Sequence, residues 1–338
     1  MISLLSVLAC RSTTTTPDTD GVTPKVTHTG TPDTTHSGLP WTFAHSGHTG
    51  ATGHTGDAGP DCDTLPAGPY EMHSTNVIRT EEDFDFDDDR YLLTQSGVSL
   101  AGVTRTGQTS ILVSNIGVDA AGIRTLPSGD ILIAQPDTGV VRRVDASTGG
   151  SVAILSSLLF PNGLEVSSDG RGFVSEFVAT GRVREFNPIT GNNRIILEIP
   201  YPNNMVLSPD EQVLYVLAST GQFGGTSRVM ALDRVVDGWA SQPREILSSP
   251  QFLGGIAVDV CGNLYVTEYS SGRVGRILMP EQRVEAIADL GLLGGFGYYS
   301  SARFSPGYGG WSATELYVTD RFELFTIDLG IEGRHVLK

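Results

Sequence analysis

The hydrophobic and polar positions of this chain alternate over short runs, and these runs return at a regular interval. Apolar and polar residues alternate over four to six positions, a turn containing Gly, Asp or Pro follows, and a β-branched and aromatic run comes next. Such alternation is typical of half-buried β-strands, and no window keeps the 3.6-residue period of an amphipathic helix. We therefore predict an all-β protein built from many short strands.

One phrase of the sequence occurs six times. Its clearest copy runs from Gly163 to Glu176 and continues from Gly181 to Gly191. The six copies start at Asp83, Gly122, Gly163, Asn204, Gly255 and Ser301. These starts are 39 to 51 residues apart, an interval that accommodates four short strands. Six such units predict a six-bladed β-propeller, which we place at residues 62–338.

The repeat also indicates which residues face the central channel of the propeller. The residue before each innermost strand faces one mouth of this channel. We predict that the innermost strands begin at Phe86, Thr125, Val166, Leu207, Val258 and Phe304. The positions four residues earlier are Glu82, Ala121, Asn162, Asn203, Gly254 and Ser300. This mouth is therefore the candidate functional site.

Three of the copies resemble the regucalcin, gluconolactonase and luciferin-regenerating-enzyme family. The similar phrases are Pro-Asn-Gly-Leu at 161–164, Pro-Asn-Asn-Met at 202–205 and Gly-Ile-Ala-Val-Asp at 255–259. The resemblance covers residues 83–338 and implies a six-bladed propeller. It also implies lactone hydrolysis, because many members of the family hydrolyse lactones with one divalent cation, usually calcium, at the channel mouth.

The resemblance further implies a set of metal ligands. Glu82, Asn162 and Asn203 match three family ligands, whereas Gly254 replaces the fourth, an aspartate. Calcium prefers six or more oxygen ligands and gains most from anionic ones. In the lactonases this aspartate is also regarded as the base for the attacking water. We therefore expect a weakened calcium site, and we expect the substitution Gly254→Asp to tighten it.

Two functions of different classes fit this sequence. One is a non-enzymatic propeller that binds a small molecule or a protein at the channel mouth. The other is a metal-dependent hydrolase of small lactones or esters. The missing aspartate favours the first function, and the family resemblance favours the second. A Gly-x-Ser-x-Gly nucleophile motif is absent from the sequence, which argues against serine hydrolase chemistry.

Two further segments bear on the channel mouth, and each has two interpretations. Glu82 belongs to an acidic run, residues 81–89, which either forms a solvated turn or brings Glu82 into the channel. A Gly-rich segment near the C-terminus carries aromatic residues that either form a lip over a mouth or pack in the core. These aromatic residues are Phe296, Tyr298, Tyr299, Tyr308 and Trp311.

The N-terminal part of the chain indicates export. Residues 1–10 are largely apolar, and Val-Leu-Ala-Cys at their end resembles the lipobox of bacterial lipoproteins, which makes Cys10 the lipidation site. A chance apolar N-terminus is the alternative. Residues 11–61 are rich in Thr, Gly and His and bury too little apolar surface to fold, so we expect a disordered tether. We expect a lipoprotein of the outer membrane or cell surface, or a secreted protein.

The net charge limits the possible binding partners, and the cysteine content indicates a possible disulfide. With 22 Lys and Arg against 38 Asp and Glu, the net charge is −16, which excludes nucleic acid as a partner. Apart from Cys10, only Cys62 and Cys261 remain. They are either two free thiols or, as we favour for an exported domain, a disulfide that stabilises the fold by about 4–5 kcal/mol. We expect a monomer that is attached to the membrane only through its lipid anchor.

Overall fold

The computed structural model describes residues 62–78, 80–88, 91–117, 120–293 and 297–334. Cys10, the predicted tether at 11–61 and Phe296 lie outside these ranges. Within them no helix is long and apolar enough to cross a membrane.

The described residues form strands that assemble into six antiparallel sheets. The first strand among the described residues is β1 (Met72–Ile78). Blade 1 contains β2 (Phe84–Phe86), β3 (Leu92–Ser96), β4 (Ser99–Val103) and β5 (Thr109–Val113). Blade 2 contains β6 (Gly122–Thr125), β7 (Ile131–Gln135), β8 (Val140–Val144) and β9 (Ser151–Leu155). Blade 3 contains β10 (Pro161–Val166), β11 (Gly172–Glu176), β12 (Arg182–Phe186) and β13 (Asn193–Glu198).

Blades 4 to 6 follow the same plan, with one short additional strand in blade 4. Blade 4 contains β14 (Pro202–Leu207), β15 (Val213–Gly221), β16 (Gly224–Val235), β17 (Gly238–Trp239) and β18 (Arg244–Ser249). Blade 5 contains β19 (Leu253–Val258), β20 (Leu264–Glu268), β21 (Arg273–Leu278) and β22 (Arg283–Asp289), and a short 3-10 helix (Leu290–Leu293) follows it. Blade 6 contains β23 (Ser301–Phe304), β24 (Glu315–Thr319) and β25 (Glu323–Asp328).

The predicted six-bladed propeller is confirmed, and the ring is closed by the first strand of the chain. β1 pairs antiparallel with β25, with Met72 opposite Ile327, and so supplies the outermost strand of blade 6. This pairing joins a strand that precedes blade 1 to the last blade, so that the two ends of the ring are held together by backbone hydrogen bonds.

The predicted first residues of the innermost strands are wrong. Phe86, Val166 and Phe304, for example, end β2, β10 and β23 rather than beginning them. The prediction placed the strand starts at five apolar residues and Thr125, but small residues ahead of them, such as Gly122 and Gly163, already belong to the strands. A Cβ on Gly122 would lie 2.5 Å from the carbonyl oxygen of Asn162, a distance that leaves no space for a side chain.

A disulfide fastens the segment before β1 to blade 5. Cys62 and Cys261 are bonded, with their Cα atoms 5.6 Å apart. This is the pairing that the cysteine count favoured. Nearby, the backbone nitrogen of Tyr70 donates to the carbonyl of Ile287 at 2.8 Å. The start of the folded domain is therefore held by both a covalent and a hydrogen-bonded link.

Candidate functional site

The predicted channel positions lie at one end of the ring of innermost strands, which we call the upper mouth. Asn162, Asn203 and Gly254 are the second residues of β10, β14 and β19, and Glu82 lies two residues before β2. Ser300 Oγ donates to the backbone carbonyl of Glu82 at 2.6 Å. Asn162 and Asn203 are half-buried, and Nδ2 of Asn203 donates to the carbonyl of Leu253 at 3.5 Å.

Glu82 forms an ion pair at the upper mouth. Its Oε2 lies 3.0 Å from Nε of Arg321, a residue in the turn between β24 and β25. Tyr269 adjoins this pair: burial and the neighbouring Glu82 carboxylate raise the pKa of its phenol, whereas Arg321 acts in the opposite direction. The acidic side chain predicted to bind a metal therefore has a protein cation beside it.

The acidic run that contains Glu82 is largely structural. Asp83 is buried, and its carboxylate accepts hydrogen bonds from the backbone nitrogen of Ile123 at 3.0 Å and from Nη1 of Arg124 at 2.6 Å. It also accepts one from Ser301 Oγ at 2.5 Å. Asp83 thus joins the innermost strands of blades 1, 2 and 6, which excludes a solvated turn at this position.

Gly254 has no space for a side chain. A Cβ at this position would lie 2.1 Å from the carbonyl oxygen of Tyr299. That carbonyl is held in place because it accepts a hydrogen bond from Thr267 Oγ1 at 2.9 Å. The expectation that Gly254→Asp tightens metal binding does not fit this backbone, because the linker into blade 6 occupies the space that an aspartate would need.

Aromatic side chains surround the upper mouth on blades 3 to 6. We call them the aromatic arc; they are Phe160, Phe177, Tyr201, Phe223, Phe252, Tyr269 and Tyr298. Contacting rings in this set have centroids 5.5 to 6.3 Å apart. Phe177 and Phe252 are buried, whereas Phe160, Phe223 and Tyr298 are 37%, 66% and 49% exposed. The arc is therefore an apolar surface that faces solvent and is anchored by buried rings.

Repeated positions in the sequence build the arc. Four of its members precede a predicted channel position by two residues: Phe160, Tyr201, Phe252 and Tyr298. The carbonyl of Phe160 accepts from the nitrogen of Phe177 at 3.0 Å, and that of Phe252 accepts from the nitrogen of Tyr269 at 2.8 Å. Phe160 and Tyr201 have φ angles of 55° and 46°, which bulky residues adopt only when the surrounding structure holds them there.

The aromatic residues of the C-terminal Gly-rich segment do not form a lip together. Tyr298 belongs to the arc, but Tyr299 and Trp311 are buried in the core. Trp311 packs on Phe86 with ring centroids 5.4 Å apart. Sequence reasoning missed the other six members of the arc, although an aromatic residue two positions before the channel position recurs in four consecutive repeats.

The described residues contain no group of three or more His, Cys, Asp or Glu side chains arranged to hold a metal ion. The metal ligands that the family resemblance assigns to this mouth are one carboxylate and two amides. The carboxylate, Glu82, is the one that faces Arg321. Any cation that binds Glu82 at the upper mouth would therefore compete with the guanidinium of Arg321.

Comparisons with known proteins address the fold. No protein family profile matches the chain, and no curated protein matches it. A gluconolactonase from Xanthomonas campestris superposes with a TM-score of 0.57 at 17% identity, covering 78% of this chain and 97% of that one. Regucalcin, a calcium-binding protein from Agrobacterium tumefaciens, gives 0.61 at 12% identity over 80% and 97%.

A third solved structure of the same fold comes from a binding protein. An auxiliary nutrient binding protein from Bacteroides ovatus superposes with a TM-score of 0.56 at 11% identity, covering 83% of this chain and 75% of that one. At such identities the likeness concerns the fold alone. The chain is thus a six-bladed β-propeller that shares the fold of gluconolactonase and regucalcin, as the resemblance of its repeats implied.

Proposed function

We propose that this chain is a non-enzymatic, exported propeller that binds a small molecule at its upper mouth. The observation that carries the proposal is the ion pair of Glu82 with Arg321 beside the aromatic arc. A carboxylate balanced by a guanidinium needs no metal to compensate its charge, and Gly254 supplies no second carboxylate. The mouth is accordingly a weak site for a divalent cation such as calcium.

The lining of the upper mouth indicates an amphipathic ligand with a ring. Ligand sites combine aromatic walls with a few polar groups that fix orientation. Here the exposed rings of Phe160 and Phe223 supply apolar surface, and the half-buried amides of Asn162 and Asn203 supply hydrogen-bond donors and acceptors. A ring-bearing molecule with hydroxyl or amide groups along one edge complements this arrangement.

The test is a ligand screen in the presence of a chelator. The full chain is screened by thermal unfolding against sugars and small aromatic compounds, and hits are confirmed by calorimetry. Phe223→Ala should weaken binding at least tenfold with little loss of stability, because this ring is 66% exposed. Tyr308→Ala is the matched control, since Tyr308 is also exposed but lies outside the arc. Equal effects of both variants would overturn the proposal.

The proposed cellular location is outside the cytoplasm, with the protein anchored through a lipid on Cys10 or secreted. The disulfide between Cys62 and Cys261 supports this location, because disulfides persist mainly in oxidising compartments. Incorporation of labelled fatty acid into the full chain, and its loss in Cys10→Ser, would support the anchor. A chain that stays unlabelled and inside the cell would contradict it.

A metal-dependent hydrolase of small lactones or esters is the second candidate. It is favoured by one observation, the presence of Glu82, Asn162 and Asn203 at the mouth positions that the family resemblance assigns to metal ligands. Hydrolysis of a panel of lactones that requires calcium and stops with chelator would establish this activity and overturn the non-enzymatic proposal. If no lactone is hydrolysed at any calcium concentration, the result agrees with the non-enzymatic binding function.

A further inference from the structure

A cavity of about 70 Å³ lies at the end of the channel opposite the upper mouth; we call it the lower cavity. The penultimate residue of every innermost strand lines it. These six residues are Asp85, Arg124, Glu165, Val206, Ala257 and Arg303. Arg334, from the segment that follows β25, also lines it. None of these residues belongs to the aromatic arc or to the predicted metal ligands, so the lower cavity is a separate site.

A layer of close contacts lies between the two sites. Asn204 Nδ2 donates to the carbonyls of Gly254 and Ser300 at 2.9 and 3.0 Å, which links blade 4 to blades 5 and 6. A Cβ on Gly163 would lie 2.4 Å from the carbonyl oxygen of Asn203. A ligand at one end of the channel is therefore kept from the other end by packed backbone.

The carboxylates of the lower cavity already have hydrogen-bond donors. Glu165 Oε1 accepts from Arg334 Nη1 at 2.7 Å, and its Oε2 accepts from Arg303 Nη1 at 3.4 Å. Oε2 also lies 3.8 Å from Arg124 Nε. Asp85 Oδ2 accepts from the backbone nitrogen of Thr125 at 2.7 Å. Arg124 and Arg303 therefore converge on one oxygen from blades 2 and 6.

Among the fully buried side-chain atoms of this lining, those without a hydrogen-bond partner are guanidinium N–H groups. Nε and Nη2 of Arg124 and Nε of Arg303 have no acceptor among the described residues. Both side chains are buried, since Arg124 is 4% exposed and Arg303 is 8% exposed. A buried donor on a charged group that lacks an acceptor is strongly unfavourable. We therefore expect the lower cavity to bind a molecule that accepts hydrogen bonds.

The hydrogen-bonding groups, size and walls of the lower cavity narrow the class of that molecule. Its lining has three guanidinium groups and two carboxylates. Arg124 also pairs with Asp83, and Arg334 pairs with Glu211 at 2.6 Å, so the ligand is attracted by the N–H groups that lack an acceptor and not by an excess of positive charge. One water needs about 10–15 Å³ of such space, so the cavity of about 70 Å³ has room for roughly five to seven atoms of that size. The walls from blades 4 and 5 are apolar, with Val206 and Ala257 in the lining.

We propose that the lower cavity binds a small monocarboxylate of the size of acetate or propionate. Its carboxylate accepts hydrogen bonds from the unpaired N–H groups of Arg124 and Arg303. Its alkyl end lies against Val206 and Ala257. This site is independent of the proposed function of the upper mouth.

The test is calorimetric titration of the full chain with sodium acetate and sodium propionate at constant ionic strength, with sodium chloride as the reference. The expected result is saturable binding of one carboxylate per chain. Arg303→Gln should weaken it at least tenfold. Arg283→Gln is the matched control, because Arg283 is an exposed arginine on the outermost strand of blade 5, and it should leave the affinity unchanged.

A second variant keeps the proposal testable if Arg303→Gln fails to fold. Ala257→Val narrows the cavity from its apolar wall and leaves both guanidinium groups intact, so propionate should bind more weakly than in the unaltered chain. Phe223→Ala, which alters only the upper mouth, should not change acetate binding. Absence of saturable binding would overturn the proposal and mean that the cavity holds only water. Hexanoate that binds as tightly as acetate would also overturn it, because the binding site would then not be limited by the size of the cavity.

Discussion

The Nε atom of Arg321 lies 3.0 Å from Oε2 of Glu82 at the upper mouth of the propeller. These residues come from blade 6 and from the segment just before blade 1, so that closure of the ring is what brings them together. Regucalcin, which has the same fold, is a calcium-binding protein. In the present chain a guanidinium group stands beside the one acidic side chain expected to serve as a metal ligand.

Removal of this guanidinium should increase the response to calcium. In Arg321→Gln, Glu82 loses its cationic neighbour, and its carboxylate becomes more attractive to a divalent ion. Millimolar calcium should therefore raise the unfolding temperature of this variant relative to the same variant in chelator. Arg273→Gln, which removes an exposed surface arginine, is the control. An identical calcium response in the two variants would disprove the role assigned to Arg321.

Substitution of Gly254 should destabilise the fold rather than create a ligand. Both Gly254→Ala and Gly254→Asp place a Cβ 2.1 Å from the carbonyl oxygen of Tyr299, so the backbone of blade 5 or blade 6 must move. We expect a loss of about 1–3 kcal/mol in unfolding free energy, the usual range for overpacking. Gly224→Ala is the control because no atom lies within 4 Å of its Cβ. Equal stability of the Gly254 variants and the control would contradict the close approach.

Loss of the disulfide should weaken the domain substantially. The bond between Cys62 and Cys261 spans 199 residues of sequence. In the chain-entropy treatment, closing so long a loop stabilises the fold by about 5 kcal/mol. The double substitution Cys62→Ser and Cys261→Ser should lower the unfolding free energy by this order in denaturant titration. A reducing agent should do the same to the unaltered chain and leave the double variant unaffected; a response of the double variant would contradict this account.

The buried carboxyl of Asp85 should make stability depend on pH. Burial raises its pKa from the ordinary value of 3.8 to about 6, although Arg124 and the backbone N–H of Thr125 oppose the shift. Between about pH 4 and pH 6 the folded state holds a proton that the unfolded state has released, so this group's contribution to stability falls as pH rises through that window.

Asp85→Asn isolates this contribution. The amide keeps an oxygen that can accept from Thr125 and carries no charge, so the variant should gain up to about 3 kcal/mol over the unaltered chain above pH 7. Near pH 4 the two should be equally stable. Denaturant titrations at pH 4, 6 and 8 measure this difference, and a gain that does not change with pH would rule out the titration of Asp85 as its cause.

The architecture could be predicted because each repeat carries its own local signals. Alternating apolar positions and turn residues recur from Asp83 to the last blade, and a fold of similar units needs little long-range information. The residues that face the channel mouth were predicted from the same comparison of the six repeats. The start of each innermost strand was not predicted correctly. Small residues such as Gly122 and Gly163, which allow neighbouring blades to approach closely, belong to these strands although the prediction placed them before the strand start.

The parts of the site that escaped sequence analysis depend on contacts between distant repeats. Glu82 and Arg321 come from opposite ends of the propeller sequence, and no local pattern predicts their pairing. The lower cavity has a detectable signal, since its residues follow the channel positions by three in every repeat. Whether Arg124, Glu165 and Arg303 meet nevertheless depends on the width of the channel, which the sequence does not specify.

The central claim, that the upper mouth works without a metal, is tested most directly by thermal unfolding of the full chain. Unfolding temperatures are compared in chelator and in millimolar calcium, manganese and zinc. A cation at a hundredfold excess over its Kd would stabilise the folded state by about 2.7 kcal/mol. We expect no shift with any of the three cations. A calcium shift that Asn162→Ala abolishes would place a metal at the upper mouth and contradict this claim.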